Sequence, residues 1–221
     1  FYNMDLKDLK HYLNTKRRDF SNQAFSEEIS EDNPFSQYAN WFKEAVESDV
    51  LDPYAACLST VDQFYKPSSR MVYIRDIIDD GFVFYTNYNS SKGEDLFHNN
   101  AAAFNIFWGE LERQIRIQGF ISKVDEDVSN KYFNARPRAS KIGAWASSQS
   151  QILKNRKELE DRVLFFEEKF KDDEVLRPPQ WGGYSLVPDK IEFWQGRSSR
   201  LHDRILYTKE NDLWTKRRLS P

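Results

Sequence analysis

Apolar residues along this chain follow two periods, and the change from one to the other divides it. Over residues 5–19, Leu6, Leu9 and Leu13 recur at three- and four-residue spacing ahead of a basic end, which predicts an amphipathic helix. Residues 21–32 are polar and read as an extended arm. A second helix is predicted from residue 34. Asp32 or Asn33 supplies its cap, Pro34 suits its first turn, and Phe35, Tyr38, Trp41, Phe42 and Val46 share one face.

Beyond residue 54 the period shortens to that of strands. β-Branched and aromatic runs at 55–61, 70–77, 81–88, 101–109 and 113–124 predict strands, with hairpin connections at 80–82 and 109–111. Residues 90–100 predict a short helix. Longer helices are predicted over 125–147, interrupted by Pro137, and over 151–172. Residues 182–188, 190–196, 204–210 and 212–219 return to strands. Eight or nine mostly antiparallel strands with helices outside them make a mainly β (α+β) chain, a β-barrel carrying peripheral helices. Residues 1–33 form a helix and arm ahead of a single domain at 34–221.

Composition narrows the function. Lys and Arg number 32 against 35 Asp and Glu, a net charge of −3, so no basic surplus marks a nucleic-acid partner. The single Cys57, in the small and apolar run "YAACLSTV", cannot form an internal disulfide; a buried thiol in a reducing compartment is expected. His11, His98 and His202 are scattered, so no metal site is expected, and His98 reads as a solvated residue at a helix end. No apolar run approaches the roughly eighteen residues of a membrane span, and no signal-peptide pattern opens the sequence. A cytoplasmic protein without a membrane partner is the expectation.

Four segments concentrate candidate chemistry. In "RMVYIR" (70–75), Arg70 and Arg75 fall at odd and even positions and hence on opposite faces; a solvated edge strand explains them as well as a ligand does. "YTNYNSSKG" (85–93) leads from a strand into a helix, whose free N–H groups and positive dipole end suit an anion beside Lys92. Ordinary capping by Ser90 or Ser91 is the plain alternative. Residues 132–150 carry Tyr132, Arg136, Arg138, Ser140, Lys141, Gln149 and Ser150, the forked and single donors that a phosphate monoester recruits. A solvated basic helix would look the same. "EFWQGRSSRLHDRILY" (192–207) gathers Trp194, Arg197, Arg200, His202 and Arg204, either as the basic face of a hairpin or as a strip that binds an anion or cofactor.

Taken together, residues 17–221 resemble the pyridoxine (pyridoxamine) 5′-phosphate oxidase family. "RMVYIR", "GFVFYTN", "LERQIRIQG", "KYFNARPRASKIGAWAS", "WGGY" and the terminal "RLSP" occur in family order, and "EFWQG" followed by "RLHDR" is highly specific. The resemblance implies an FMN-binding split β-barrel that forms a homodimer with FMN at the subunit interface. It implies oxidation of pyridoxine 5′-phosphate or pyridoxamine 5′-phosphate by O2 to pyridoxal 5′-phosphate, releasing H2O2, and NH3 from the amine. A hydride equivalent would pass from C4′ of the substrate to N5 of the flavin.

By position, the resemblance sets Arg70, Met71, Val72, Tyr73, Ile74 and Arg75 along the flavin, with Arg70 near its phosphate. Tyr85, Thr86 and Lys92 complete that phosphate site. Gln114, Gln149, Ser150, Trp194 and Arg204 match further flavin contacts, some from the partner subunit. Arg75, Tyr132, Arg136 and Ser140 match the positions that hold the substrate's phosphate. Arg200 and His202 match the catalytic pair that closes over the pyridine ring, and Arg17 and Arg18 belong to an arm that covers the substrate. His202 is expected to hydrogen-bond the substrate rather than abstract a proton; Arg197 receives no role.

Three positions depart from the family pattern: Arg75 stands for Lys, Ser91 for Arg and Phe20 for Tyr. They bear on affinity more than on reaction type. The rival expectation is a flavin- or pyridoxal-phosphate-binding protein on the same barrel without catalysis. Retention of Tyr132, Arg136, Arg200 and His202 speaks against it, because a flavin carrier needs no second phosphate site.

Overall fold

The computed structural model describes residues 6–15, 18–20 and 23–221. Helix α1 (Leu6–Thr15) carries Leu6, Leu9 and Leu13 exposed. The polar arm is fastened rather than free: Phe25 is buried against Trp41 and Phe193, and its N–H donates to Asp203. Helix α2 (Pro34–Glu47) begins as expected, with the Asn33 side chain accepting from the N–H groups of Phe35 and Ser36. Its buried face is rotated slightly from the expected one. Ala45 is buried, whereas Val46 is 53% exposed.

Strands β1 (Ala55–Val61), β2 (Pro67–Tyr73), β3 (Asp76–Ile78) and β4 (Gly81–Asn87) precede helix α3 (Ser91–His98). Then come β5 (Ala101–Trp108), β6 (Arg113–Lys123), α4 (Glu126–Asn134), α5 (Arg138–Ala146), α6 (Arg156–Lys169), β7 (Trp181–Gln195), β8 (Asp203–Glu210) and β9 (Leu213–Arg218). Helices α4 and α5 meet at Pro137, as its missing N–H requires. Helix α6 starts later than residue 151, at the Asn155 cap, whose side chain accepts from Glu158 N–H.

All pairings are antiparallel, in the order β2-β1-β5-β6-β7-β4-β3, with β8 on β7 and β9 on β8. Instead of two strands at 182–188 and 190–196 there is one long β7. Its first half pairs with β4 up to Leu186 and its second with β8 from Lys190, so Pro188 falls at the changeover, where that side of the strand has no neighbour. A residue with no N–H to donate costs nothing there. On the other side Gly119 lies opposite Pro188 at a register shift in β6. The turn of the β3–β4 hairpin is Asp79 and Asp80, both left-handed (φ 48° and 59°), the primed geometry that two-residue hairpins demand.

The order of strands forces the sheet to roll up. β2 and β3 stand at opposite ends of that path, six inter-strand steps or ~29 Å apart if the sheet were flat. Yet only Ile74 and Arg75 separate them in sequence, a reach of ~11 Å. The sheet therefore curls until its edges meet, and the seam is closed by Ile74 N–H donating to Tyr54 O (2.9 Å) and Arg75 N–H donating to Val83 O (2.8 Å). Leu58, Phe84, Phe104, Ile115, Ile117, Leu186, Ile191 and Phe193 fill the interior, with α2 packed over it through Tyr38 and Trp41. Cys57, by alternation, faces away from Ala56 and Leu58 and is half-buried rather than buried.

The start of α3 depends on Gly93. A Cβ there would lie 1.9 Å from the Tyr88 carbonyl oxygen, which is backbone and cannot swing aside. Gly93→Ala should displace the first turn of α3 and destabilise the fold by about 1–3 kcal/mol, read as a lower urea midpoint. An unchanged midpoint would show that the turn adjusts freely.

Candidate active site

A cavity of about 700 Å³ opens beside the seam. One wall is the edge strand and its exit (Ser68, Ser69, Arg70, Met71, Val72, Tyr73 and Arg75), and β4 adds Tyr85 and Thr86. The start of α3 contributes Ser91 and Lys92; Tyr132, Arg136, Gln149, Ser150 and Trp181 complete the lining. Arg70 and Arg75 thus face one space, not opposite sides, because regular alternation stops at Tyr73 where the chain crosses the seam.

The cations here are held mainly by neutral groups. Lys92 is 7% exposed, and its Nζ donates to Thr86 Oγ1 (3.2 Å) and Ser90 Oγ (3.1 Å), both neutral. Burial, then the charge of Arg70, pushes its pKa down to about 8. Arg70 is braced from behind by Thr60 Oγ1 (2.6 Å), Ser68 Oγ (2.8 Å) and a longer pairing with Asp95 (3.5 Å). Ser90 occupies the cap position of α3, but its hydroxyl donates to Asn87 O, so no side chain takes up the helix's first N–H groups. Dipole, Lys92 and Arg70 converge there.

A second cation group sits apart from these. The Arg136 guanidinium lies 4.5 Å over the Trp181 ring, its Nη1 is buried without a hydrogen-bond partner, and burial lowers its pKa. Leaving such a donor unmade is costly, so the site favours an acceptor that supplies the bond. Beside it Tyr85 and Tyr132 stack at 3.7 Å, 2° from parallel, and burial pushes the Tyr85 phenol up to about 12. Gln149 Oε1 accepts from Thr86 Oγ1 and Asn87 N–H, which fixes the loop that carries Ser150.

The remaining expected residues form a separate strip. Gln114, Trp194 and Arg204 lie in register across β6, β7 and β8. Arg204 Nε donates to the buried Glu192 (2.8 Å), which also takes Arg116 (3.0 Å). His202 Nδ1 accepts from Arg197 N–H (3.1 Å), and burial, then the Arg200 charge, lowers its pKa. Ser199 and Arg200 are left-handed (φ 55° and 62°), each costing on the order of 1 kcal/mol. Phe20 sets its ring edge-on to Trp194 and His202, and Arg18 donates to Gly109 O and Glu112, so residues 18–20 lie over the strip. A side chain at Gly196 would collide with Phe20, 2.8 Å from its ring.

None of Gln114, Trp194, Arg200, His202 and Arg204 lines the cavity of its own chain. Ile74 is turned into the core at 7% exposure, and Ser140, on α5, is off the cavity wall. Arg17 lies outside the described residues. Residue patterns missed Ser68, Ser69 and Trp181; the first two look like ordinary edge-strand serines, and nothing in the spacing of "WGGY" sets Trp181 against Arg136.

Residues 42–168 match the family model described as pyridoxamine 5′-phosphate oxidase, and residues 181–221 match the pyridoxine 5′-phosphate oxidase C-terminal dimerisation region. A pyridoxine/pyridoxamine 5′-phosphate oxidase of a Cyanothece species is 47% identical over 93% of this chain and 96% of its own length. That of Haemophilus influenzae is 46% identical over 95% and 99%. Among solved structures, PhzG from Burkholderia lata, in complex with tetrahydrophenazine-1-carboxylic acid, superposes with a TM-score of 0.84 at 28% identity, covering 91% of this chain and all (100%) of that one. A pyridoxamine 5′-phosphate oxidase-related, FMN binding protein from Nostoc punctiforme shares the split-barrel fold, with a TM-score of 0.68 at 16% identity over 86% and 98%.

Lys92 gives the site a pH signature. Without ligand it loses its proton near pH 8, and an anion beside it raises that value. A phosphate monoester beside Lys92 should therefore bind best below about pH 8 and weaken by up to tenfold per unit above it. Lys92→Arg, whose charge persists, should flatten the profile. Titrations from about pH 7.5 to 9.5 check this, and equally flat profiles would mean that Lys92 does not meet the anion.

Proposed function

The chain belongs to the pyridoxine/pyridoxamine 5′-phosphate oxidase family, and on that premise we propose its reaction, cofactor and residue roles. It oxidises pyridoxine 5′-phosphate and pyridoxamine 5′-phosphate to pyridoxal 5′-phosphate with FMN as cofactor and O2 as acceptor. H2O2 is released, with NH3 from the amine. The observation that carries this reading is the pair of separate cation groups in one cavity, Arg70 with Lys92 and Arg136 with its unpartnered Nη1. Two phosphate esters, one on the cofactor and one on the substrate, account for both.

FMN fits the donor set. Arg70, Lys92, Thr86 and the first turn of α3 would hold its phosphate, and Met71, Val72 and Tyr73 would border its ring, with Gln149 and Ser150 at the rim. Bound FMN would supply the two-electron acceptor for oxidation at C4′. Arg75, Tyr132 and Arg136 would bind the substrate's phosphate, and that remote binding energy holds the ring in register. His202 accepts at Nδ1, so its neutral ring carries the proton on Nε2. It is therefore a donor to a substrate oxygen rather than a base. Arg200 beside it adds charge over the ring.

The strip reaches a cavity only if a second copy brings it. Trp194, Arg200, His202 and Arg204 all fall within the region matched as a dimerisation region. A homodimer would then build each site from the cavity of one chain and the strip of its partner. No helix of the described residues is long and apolar enough to cross a membrane.

A shared site can be tested by complementation. Arg136→Ala in the cavity and Arg200→Ala in the strip should each lower kcat/KM by roughly 30- to 1,000-fold while leaving FMN bound. Co-expressed under different tags, the two variants form a heterodimer with one intact site, and the statistical mixture should recover about a quarter of wild-type activity. A mixture no better than its parents would refute the shared site. A protein that is colourless and cannot be reconstituted with FMN would refute the cofactor.

Position 91 gives a second test. Ser91 lines the cavity beside Lys92 and brings no charge. Ser91→Arg should tighten FMN binding by ~0.5–1.5 kcal/mol, and added salt should shrink the gain. Equal or weaker binding at low salt would mean that residue 91 does not reach the phosphate.

A further inference from the structure

Arg75 stands between two cavities. One is the site above; the other, of about 370 Å³, is apolar and bounded by Tyr38, Phe42, Tyr54, Ile74 and Ile77. On that boundary the guanidinium is set in a corner of two aromatic rings. Its Cζ lies 4.8 Å from the centroid of Tyr54 and 4.8 Å from that of Tyr73, and the two rings meet at 85° with centroids 5.0 Å apart.

The corner itself is tied. Both phenols donate to one carboxylate, Tyr54 to Asp52 Oδ1 at 2.7 Å and Tyr73 to Asp52 Oδ2 at 3.1 Å. Asp52 is held in turn by its left-handed backbone (φ 48°) and by Ala55 N–H donating to its carbonyl (2.8 Å). The hydrogen bonds to Asp52 raise both phenol pKa values, which keeps the two groups as donors into the alkaline range. Among the described residues, neither Asp52 nor any other carboxylate forms an ion pair with Arg75.

We propose that Tyr54 and Tyr73, tied together by Asp52, are positioning residues that hold Arg75 as a preset receptor for the phosphate of the substrate. The idea rests on the proposed function and adds to it the three side chains that frame Arg75. A flexible, exposed arginine would lose its rotamer freedom each time it gripped a phosphate. Arg75 is exposed too, but its two rings limit its rotamers before an anion arrives. Flat rings suit a planar guanidinium and leave its N–H edges for the anion; an ammonium group has no plane to lay against them.

The test uses the FMN-loaded protein and Tyr54, which does not line the active cavity. Tyr54→Leu should raise KM for pyridoxamine 5′-phosphate about 5-fold, with kcat and FMN affinity unaltered, and weaken equilibrium binding of pyridoxal 5′-phosphate by the same factor. Tyr54→Phe, which keeps the ring, should recover most of the loss. In an Arg75→Met background Tyr54→Leu should add nothing, whereas a merely structural role would add its full effect. Unchanged binding, an equal loss with and without Arg75, or a wild-type protein that binds no phosphate ester would each overturn the proposal. A wild type that binds pyridoxal 5′-phosphate without turning over either substrate would refute the oxidase reading alone. In that case the binding series still decides the role of the frame.

Discussion

Ile74 and Arg75 are all that join the two ends of the sheet path, and most of the molecule's useful geometry follows from how short that link is. A flat sheet cannot satisfy it. Curling brings the exit of β2 against β4, and the cavity opens along that seam because edge strands with polar side chains line it there. Regular alternation ends at the same point, so Ile74 turns inward to the core while Arg70 and Arg75 both face the cavity. Closure and binding site are one event.

Electrostatics then distinguishes cations that are spent from cations that are kept. Arg204 and Arg116 share the buried Glu192, and Arg218 is taken by Glu27 and Asp203. In the cavity the pattern differs. Lys92 meets only hydroxyls, Arg136 meets an aromatic face with its Nη1 unpartnered, Arg75 meets two rings, and of these cavity cations Arg70 alone has a carboxylate, Asp95 at 3.5 Å. Charges left unpaired in a partly buried space are expensive for the free protein, and an anion relieves that cost on binding. A family of oxidases whose named substrates are phosphate esters is consistent with that arrangement.

The strip shows a different economy of structure. Its residues come from three adjacent strands in register, with residues 18–20 lying over Trp194 and His202. Ser199 and Arg200 hold strained backbone angles in the turn between β7 and β8, and Arg197 N–H fixes the tautomer of His202. These groups lie off the cavity of their own chain. The matched dimerisation region, residues 181–221, covers Trp194, Arg197, Arg200, His202 and Arg204, but neither Gln114 nor residues 18–20.

The sequence by itself determined the local elements and the chemical inventory. Asn33 before Pro34, Pro137 between helices and the strand-period runs act within a few residues, where propensity and capping dominate, although the hairpin expected at 80–82 turns at Asp79 and Asp80. The motifs also carried the family, because "EFWQG" and "RLHDR" are contiguous in the chain. What only tertiary structure decided are relations between distant segments. Residues 182–195 become one strand because β4 and β8 divide its length between them at Pro188. The arm is pinned by Phe25 because Trp41 and Phe193 leave a place for its ring. The division of the expected site into a cavity and a distant strip, and the corner that Tyr54, Tyr73 and Asp52 make for Arg75, arise from packing across the rolled sheet. Periodicity assigns a side chain to a face; which faces meet depends on closure, a property of the whole sheet that no short window of sequence contains.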